Sequence, residues 1–165
     1  MQSKASNIAT GGILIALTVV ILYLTPLIPI NTLGLLTITS LFVPIGLMRC
    51  NMKTSIDIYI WSSILSFLLV HLNISFLYLI FFGIYGIIKH LAEKRNNRIK
   101  EFIIKLLFFN IGLIIYYFIF TSFIGVLNLK ISIYLLYVVS QIVFLIYDFA
   151  LTLLIAFYLD KLHNR

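Results

Sequence analysis

Long apolar runs alternate with short polar or charged segments along the chain, and this pattern predicts transmembrane α-helices. A helix needs about 20 residues to cross the hydrocarbon core of a bilayer. The apolar runs predict helices over residues 5–30, 33–48, 54–72, 74–89, 102–127 and 131–159. The second and fourth runs are short, so four or five passes would follow if either failed to span. Short connections favour antiparallel packing of successive helices in one compact bundle.

Prolines and charges mark the predicted boundaries. Pro26 and Pro29 lie near the end of the first helix, where proline kinks or ends a helix, and Pro44 lies inside the short second run. The one hydrophilic stretch of any length, His90–Glu101, predicts a loop between the fourth and fifth helices. We expect residues 1–165 to form a single integral membrane domain.

The composition supports a lipid environment. Hydrophobic residues make up 62% of the chain and charged residues 10%, with a mean hydropathy of +1.15. Soluble domains carry about 45–50% apolar and about 25% charged residues. A chain this apolar cannot cover itself with a soluble surface, so we expect lipid to be its solvent.

The basic residues predict the orientation. In the six-pass arrangement only Lys130 falls on the outer side, and the other Lys and Arg residues share the opposite side. Positive residues are retained in the cytoplasm during insertion, so both termini are predicted to be cytoplasmic. The formal charge of +7 is explained by juxtamembrane residues near anionic headgroups, and no nucleic-acid partner is expected.

Motifs for phosphate or metal chemistry are missing from the sequence. It contains no Gly-rich phosphate loop and no His/Cys spacing typical of a zinc site, so no ATP hydrolysis by this chain, no cofactor and no metal are expected. Asp148 is the sharpest candidate for chemistry, since a carboxylate deep in a membrane helix is costly unless it is paired. Two interpretations stay open: a substrate, proton or coupling contact, or a structural pairing with Lys105, Asn110 or a tyrosine hydroxyl.

A polar stripe on the sixth predicted helix suggests a binding pocket. Tyr134, Tyr137, Gln141 and Asp148 recur at helical spacing and fall on one face, beneath Lys130. Such a stripe with aromatic residues suits a small-molecule pocket. Asn110 could join this stripe from the fifth predicted helix. The other candidate substrate-binding residues are polar groups scattered over the outer half: Tyr117, His71, Asn73 and Tyr78.

Small residues recur along the first helix. Ala5 and Ala9 are four apart, as are Gly12 and Ala16. Small residues at this spacing let another helix approach closely. The face they form predicts either docking to a partner helix or packing within the bundle.

Taken together, these features resemble the substrate-binding S component of energy-coupling-factor (ECF) vitamin transporters of bacteria. The similarity rests on the six-helix architecture with cytoplasmic termini and on Ala5-Ser6-Asn7-Ile8-Ala9, which matches the family's Ala-x-x-x-Ala pattern. It implies a non-enzymatic subunit of an ABC importer in the cytoplasmic (inner) membrane. Such a subunit binds a vitamin-like solute near the outer face. Its first helix docks to a transmembrane coupling subunit that is joined to ATPase subunits.

Two other interpretations remain. The chain is also similar in size, helix count and termini to the rod-shape-determining membrane protein, a scaffold beside cell-wall synthases. A scaffold needs no converging polar groups in its outer half. An intramembrane enzyme that uses Asp148 as acid or base is the least favoured, because no second acid lies close to it in the sequence.

Overall fold

The computed structural model describes residues 4–28, 31–94, 97–123 and 133–163, and within these ranges it is helical without a strand. The α-helices are α1 (Lys4–Leu24), α2 (Thr32–Ser40), α3 (Phe42–Arg49), α4 (Met52–Leu69), α5 (Leu72–Leu77), α6 (Gly83–Glu93), α7 (Arg98–Phe123) and α8 (Ile133–His163). A 3-10 turn, Thr25–Leu27, extends α1, and a π-helical segment, Tyr78–Phe82, joins α5 to α6. The all-α prediction is confirmed.

Five helical units among the described residues are long and apolar enough to cross a membrane. α4 is not one of them, because Lys53, Asp57 and several serines make it more polar. The five units are Lys4–Leu27, Thr32–Arg49, Leu72–Glu93, Arg98–Ile119 and Tyr134–Lys161. Helices of this length and composition are consistent with a multi-pass membrane protein, and they are one fewer than the six predicted spans.

Proline accounts for two interruptions. α1 ends at Leu24, two residues before Pro26, so it is shorter than the predicted helix over 5–30. The second predicted helix is divided at Leu41 into α2 and α3, and Pro44 lies in the first turn of α3. Proline has no backbone N–H and cannot donate to the carbonyl four residues earlier, which favours a break at this point.

The predicted loop His90–Glu101 is wrong over most of its length. α6 continues to Glu93 and α7 already begins at Arg98. Lys89 pairs with Glu93, and Glu101 pairs with Lys105, each at a spacing of four residues. Such pairs stabilise a helix, so this charged segment extends both helices and leaves only a short connection.

The tightest packing joins the first half of the chain. α1 and α3 both lie against α4, where small residues allow close approach. The Ser55 hydroxyl donates to the Val43 carbonyl at 2.8 Å across the α3–α4 contact. A Cβ atom on Gly46 would meet the end of the Ile58 side chain, so a larger residue at this position would require Ile58 to move.

α7 and α8 form the looser side of the bundle. Within the described residues their backbones scarcely approach each other, and side chains bridge the gap. The Phe109 and Phe144 rings stack with centroids 4.3 Å apart. Because backbone contact is replaced by side-chain contact, space remains between these helices and the rest of the bundle.

Candidate functional site

A cavity of about 360 Å³ lies between α8 and the rest of the bundle. Residues of the second to fifth of these helical units line it, in the half that contains the start of α2, the end of α7 and the start of α8. Its walls are formed by Leu33, Leu77, Phe81, Phe82, Tyr85, Phe108, Phe109, Leu113, Tyr116, Leu136, Val139, Ser140, Val143, Phe144 and Tyr147. Volumes of this size are typical of small-molecule sites.

Helical spacing explains how α8 contributes to this wall. Leu136, Val139, Ser140, Val143 and Tyr147 are separated by three or four residues, so they fall on one face of α8. The Phe109–Phe144 stack borders this face and holds α8 against α7. The pattern was present in the sequence, but the helix is apolar nearly all round, and nothing in it distinguishes a cavity-facing side from a lipid-facing one.

Tyr85 connects the cavity to a group of charges. Its ring lines the cavity, and its hydroxyl donates to Asp148 Oδ1 at 2.7 Å. The same oxygen accepts from Lys89 Nζ at 2.6 Å, and Asp148 Oδ2 lies 3.4 Å from Lys105 Nζ. Asp148 therefore ties α8 to both α6 and α7.

The lysine donors in this charge network are fully used. Lys89 Nζ contacts Glu93 Oε1 at 2.9 Å and Thr152 Oγ1 at 2.8 Å, besides Asp148. Lys105 Nζ contacts Glu93 at 3.0 Å and Glu101 at 2.5 Å, besides Asp148. An ammonium group has three N–H donors, so each of the two has a complete set of acceptors. Since Lys89 is only 2% exposed and Lys105 only 5%, this saturation is what makes their burial tolerable.

The contacts of Asp148 agree with the second of its two interpretations, a structural pairing, and they show which partners it has. Lys105 and a tyrosine hydroxyl were among the predicted partners, whereas Asn110 does not contact Asp148 in the described hydrogen bonds. Lys89 was missed, because its position at the end of a predicted helix suggested a juxtamembrane charge. The spacing of Lys89 and Glu93 was the available signal that the helix continues.

The predicted polar stripe lies beside the cavity and not in its wall. Tyr137 donates its hydroxyl to Asn110 Oδ1 at 2.7 Å, and Gln141 Nε2 donates to the same oxygen at 3.0 Å. Asn110 thus does join the stripe from the neighbouring helix, as predicted. Gln141 Oε1 is buried without a partner among the described residues. These two hydrogen bonds connect α7 to α8.

The other predicted binding residues are scattered. Tyr134 is 82% exposed and Tyr117 is 48% exposed, while His71 and Asn73 lie exposed at the start of α5. Tyr78 is fully buried, with its hydroxyl 2.8 Å from Ser62 Oγ. Lys130 lies outside the described residues. None of the predicted site residues that the structure describes is among the residues lining the cavity.

The small residues of α1 share an exposed face. Ala5, Ala9, Gly12 and Ala16 are all exposed, and a Cβ atom on Gly12 would meet nothing within 4 Å. α1 packs against α4 with its opposite side, where Gly11 is buried against Thr54. The sequence predicted that this face either docks to a partner helix or packs within the bundle. Among the described residues it does not pack within the bundle.

Comparison of the chain with family models, curated proteins and solved structures finds no match. The described residues also contain no group of three His, Cys, Asp or Glu side chains that could hold a metal ion. A functional assignment therefore rests on the cavity, the charge network and the exposed face of α1.

Proposed function

We propose that this chain is the membrane-embedded substrate-capture subunit of an ECF-type importer. The cavity of about 360 Å³ among the membrane helices carries the proposal, because it has the size of a site for a vitamin-like molecule. The resemblance of the sequence to S components supports the same assignment. In this role the chain binds its solute without chemical change and is not an enzyme.

The orientation in this proposal follows from the basic residues. The short connection between α6 and α7 and the one between α3 and α4 lie near lysines and arginines, which are retained in the cytoplasm. If α4 spans the membrane together with the five helical units, both termini are cytoplasmic in a bacterial inner membrane. The cavity then lies in the outer half, where a capture subunit needs its binding site.

Docking to the energising module is assigned to the exposed face of α1. Without large side chains at Ala5, Ala9, Gly12 and Ala16, a helix of a transmembrane coupling subunit can approach the α1 backbone closely. In a lipid environment such close packing is a main source of helix association. The coupling subunit would in turn recruit the ATPase subunits.

Asp148 suits a structural role in this proposal. Its two oxygens accept from two ammonium groups and one phenol. A general acid or base needs an oxygen that is free to reach a substrate proton. These contacts favour a capture protein over an intramembrane enzyme.

A membrane scaffold similar to the rod-shape-determining protein is the second candidate. It is favoured by one observation: the predicted polar residues do not converge in the cavity. A scaffold would use the same exposed face of α1 for a static partner.

Purification of the tagged protein from its native membrane in mild detergent tests the assignment. We expect an ABC-type ATPase pair to co-purify, and Ala9→Leu or Gly12→Leu to abolish its recovery. Ala156→Leu is the matched control, since it makes the same kind of change at an exposed position of α8 and should leave recovery unchanged. Recovery of cell-wall synthases without any ATPase would refute the importer role and favour the scaffold.

A further inference from the structure

The last residue of α3 is a cation that lies over an aromatic ring of α8. The guanidinium carbon of Arg49 is 5.5 Å from the centroid of the Tyr158 ring. A guanidinium in this position is attracted by the electron-rich face of the ring. The contact therefore orients Arg49 and joins the C-terminal ends of two helices that are far apart in the chain.

Both of these helix ends are boundaries of apolar helical units. Arg49 is the last residue of the unit Thr32–Arg49, and Lys161 is the last residue of the unit Tyr134–Lys161. Because Arg49 contacts Tyr158, the two ends lie on the same side of the bundle. In a membrane that both units cross, these two cations lie where the hydrocarbon core ends and the lipid headgroups begin.

The cations at this boundary have no acidic partner in the part of the chain that the structure describes. The side chains of Arg49 and Lys161 are exposed, and neither takes part in the hydrogen bonds or ion pairs of the described residues. A guanidinium presents its N–H donors in a fork that fits two oxygens of one phosphate. Tyr158 thus orients Arg49 while the donors of Arg49 stay available.

The five acids of the chain leave these cations unbalanced. Three of them belong to the charge network and are engaged by its two lysines. Asp57, in the second turn of α4, makes no ion pair among the described residues. Asp160 is only two residues from Tyr158, and residues two apart on a helix do not face each other. The cluster is therefore open to an anion from outside the chain.

An apolar face of α8 continues from the cations toward the middle of the helix. Phe157 is four residues before Lys161, and Leu154 is four residues before Tyr158, so both lie on the side of α8 that carries the cation. Phe157 is 68% exposed and Leu154 is 36% exposed. A free phosphate gains nothing from such surface, whereas the acyl chains of a phospholipid do.

We infer that Arg49 and Lys161 bind the phosphate of an anionic phospholipid, with Tyr158 positioning Arg49 and with the acyl chains along Phe157 and Leu154. Basic pockets between helices at a membrane surface bind anionic headgroups. The orientation rule for basic residues concerns the side of the membrane on which they lie and predicts no such site. The inference rests on the two apolar units crossing the membrane and is independent of the importer role.

Native mass spectrometry of the purified full-length protein in detergent micelles, titrated with phosphatidylglycerol, tests this inference. We expect one molecule of phosphatidylglycerol to bind ahead of all others. Phosphatidylcholine has the same chains and a phosphate but no net charge, so it should bind at least about fivefold more weakly, the effect of one basic residue near a headgroup. Excess inorganic phosphate should not displace the bound lipid.

Matched variants locate the site. Arg49→Gln should weaken the first binding step of phosphatidylglycerol about fivefold. Arg98→Gln makes the same substitution at an exposed arginine, at the start of α7, and should leave this step unchanged. Tyr158→Leu removes the ring that positions Arg49 and should weaken binding, whereas Tyr158→Phe keeps the ring and should bind normally. Circular dichroism of each variant checks that it is folded.

Three results would overturn the inference. Equal weakening by Arg49→Gln and Arg98→Gln would show a diffuse attraction to the basic surface. Equal binding of phosphatidylglycerol and phosphatidylcholine would show that the charge is not recognised. Displacement of the lipid by inorganic phosphate would show a site for a free anion.

Discussion

The charge network gives a quantitative test of the packing of α8. Lys89 Nζ lies 2.6 Å from Asp148 Oδ1, and the lysine is only 2% exposed. Replacing Lys89 by Met removes the closest cation from Asp148 and leaves Lys105, at 3.4 Å, as its only ammonium partner. The helix keeps a side chain of similar length. The change therefore isolates the loss of charge.

The magnitude follows from the distances. With an effective dielectric constant of about 20, opposite unit charges attract by about 6 kcal/mol at the 2.6 Å separation of Lys89 and Asp148 and by about 5 kcal/mol at the 3.4 Å separation of Lys105 and Asp148. The variant loses the first attraction and keeps the second. It also loses the pair of Lys89 with Glu93, whose carboxylate keeps Lys105 as a partner. Against these losses, it is relieved of burying an ammonium group, which costs several kcal/mol. We expect Lys89→Met to lower the free energy of unfolding by about 3 kcal/mol, the lower end of the range for breaking a buried pair.

The double variant Lys89→Met/Asp148→Leu provides the sharper comparison. In it Lys105 still pairs with Glu93 and Glu101, and the principal new defect is the Tyr85 hydroxyl, which loses its acceptor. A hydroxyl without a partner costs about 1–3 kcal/mol. The double variant no longer contains the Asp148 carboxylate that Lys89→Met leaves without its closest cation, so this cost replaces the loss of about 3 kcal/mol expected for Lys89→Met. The double variant should therefore be no less stable than Lys89→Met alone. This non-additivity is the signature of a coupled pair.

Unfolding in mixed micelles titrated with SDS and followed by circular dichroism measures these values. Lys94→Met is the matched control: it makes the same substitution at an exposed position just after α6 and should change the free energy of unfolding by less than about 0.5 kcal/mol. Asp148→Leu alone completes the comparison. If the double variant lost as much stability as Lys89→Met and Asp148→Leu lose when their separate losses are added, the network would not be coupled, and the reasoning from saturated donors would be wrong.

Two further predictions concern packing in other parts of the bundle, and thermal unfolding in detergent measures both. A Cβ atom on Gly86 would lie 2.6 Å from the ring of Pro44, so Gly86→Ala should destabilise the protein by about 1–3 kcal/mol; Gly12→Ala, which meets nothing, is the control, and an equal effect of both would contradict the packing argument. Asn110→Leu removes the acceptor of two donors and should cost about 1–3 kcal/mol per buried donor left unpaired. Tyr137→Phe removes only one of these bonds and should cost less; a larger loss in Tyr137→Phe would refute the shared-acceptor geometry.

Helix positions were predictable because their cause is local. The fifth predicted helix, 102–127, corresponds to α7 (Arg98–Phe123), and the sixth, 131–159, corresponds to α8 (Ile133–His163). Apolar length is a property of consecutive residues, so the sequence displays it directly. Most of the errors are at the ends, where Pro26 shortened one helix and paired charges lengthened two others; the division of the second predicted helix at Leu41 is an interior one.

The site was not predictable in the same way. The polar stripe on α8 was real as a pattern, and Asn110 does meet Tyr137 and Gln141, but these groups satisfy one another beside the cavity. The aromatic residues that do line it were indistinguishable in the sequence from residues that face lipid. A polar pattern shows which side chains need partners and does not show whether a ligand or a neighbouring helix supplies them.

By itself the sequence determined that the chain forms apolar helices, several of them long enough to cross a membrane, because this follows from how many apolar residues lie in each consecutive stretch. It also determined that Asp148 needs a partner, since an isolated carboxylate among membrane helices is costly. The tertiary structure alone decided which partners it has: Lys89 lies 59 residues away in the chain, and Lys105 lies 43 away. It alone decided that the small residues of α1 face outward and that a cavity remains between α8 and the other helices. Contacts between distant residues depend on how whole helices pack, and no local pattern encodes them.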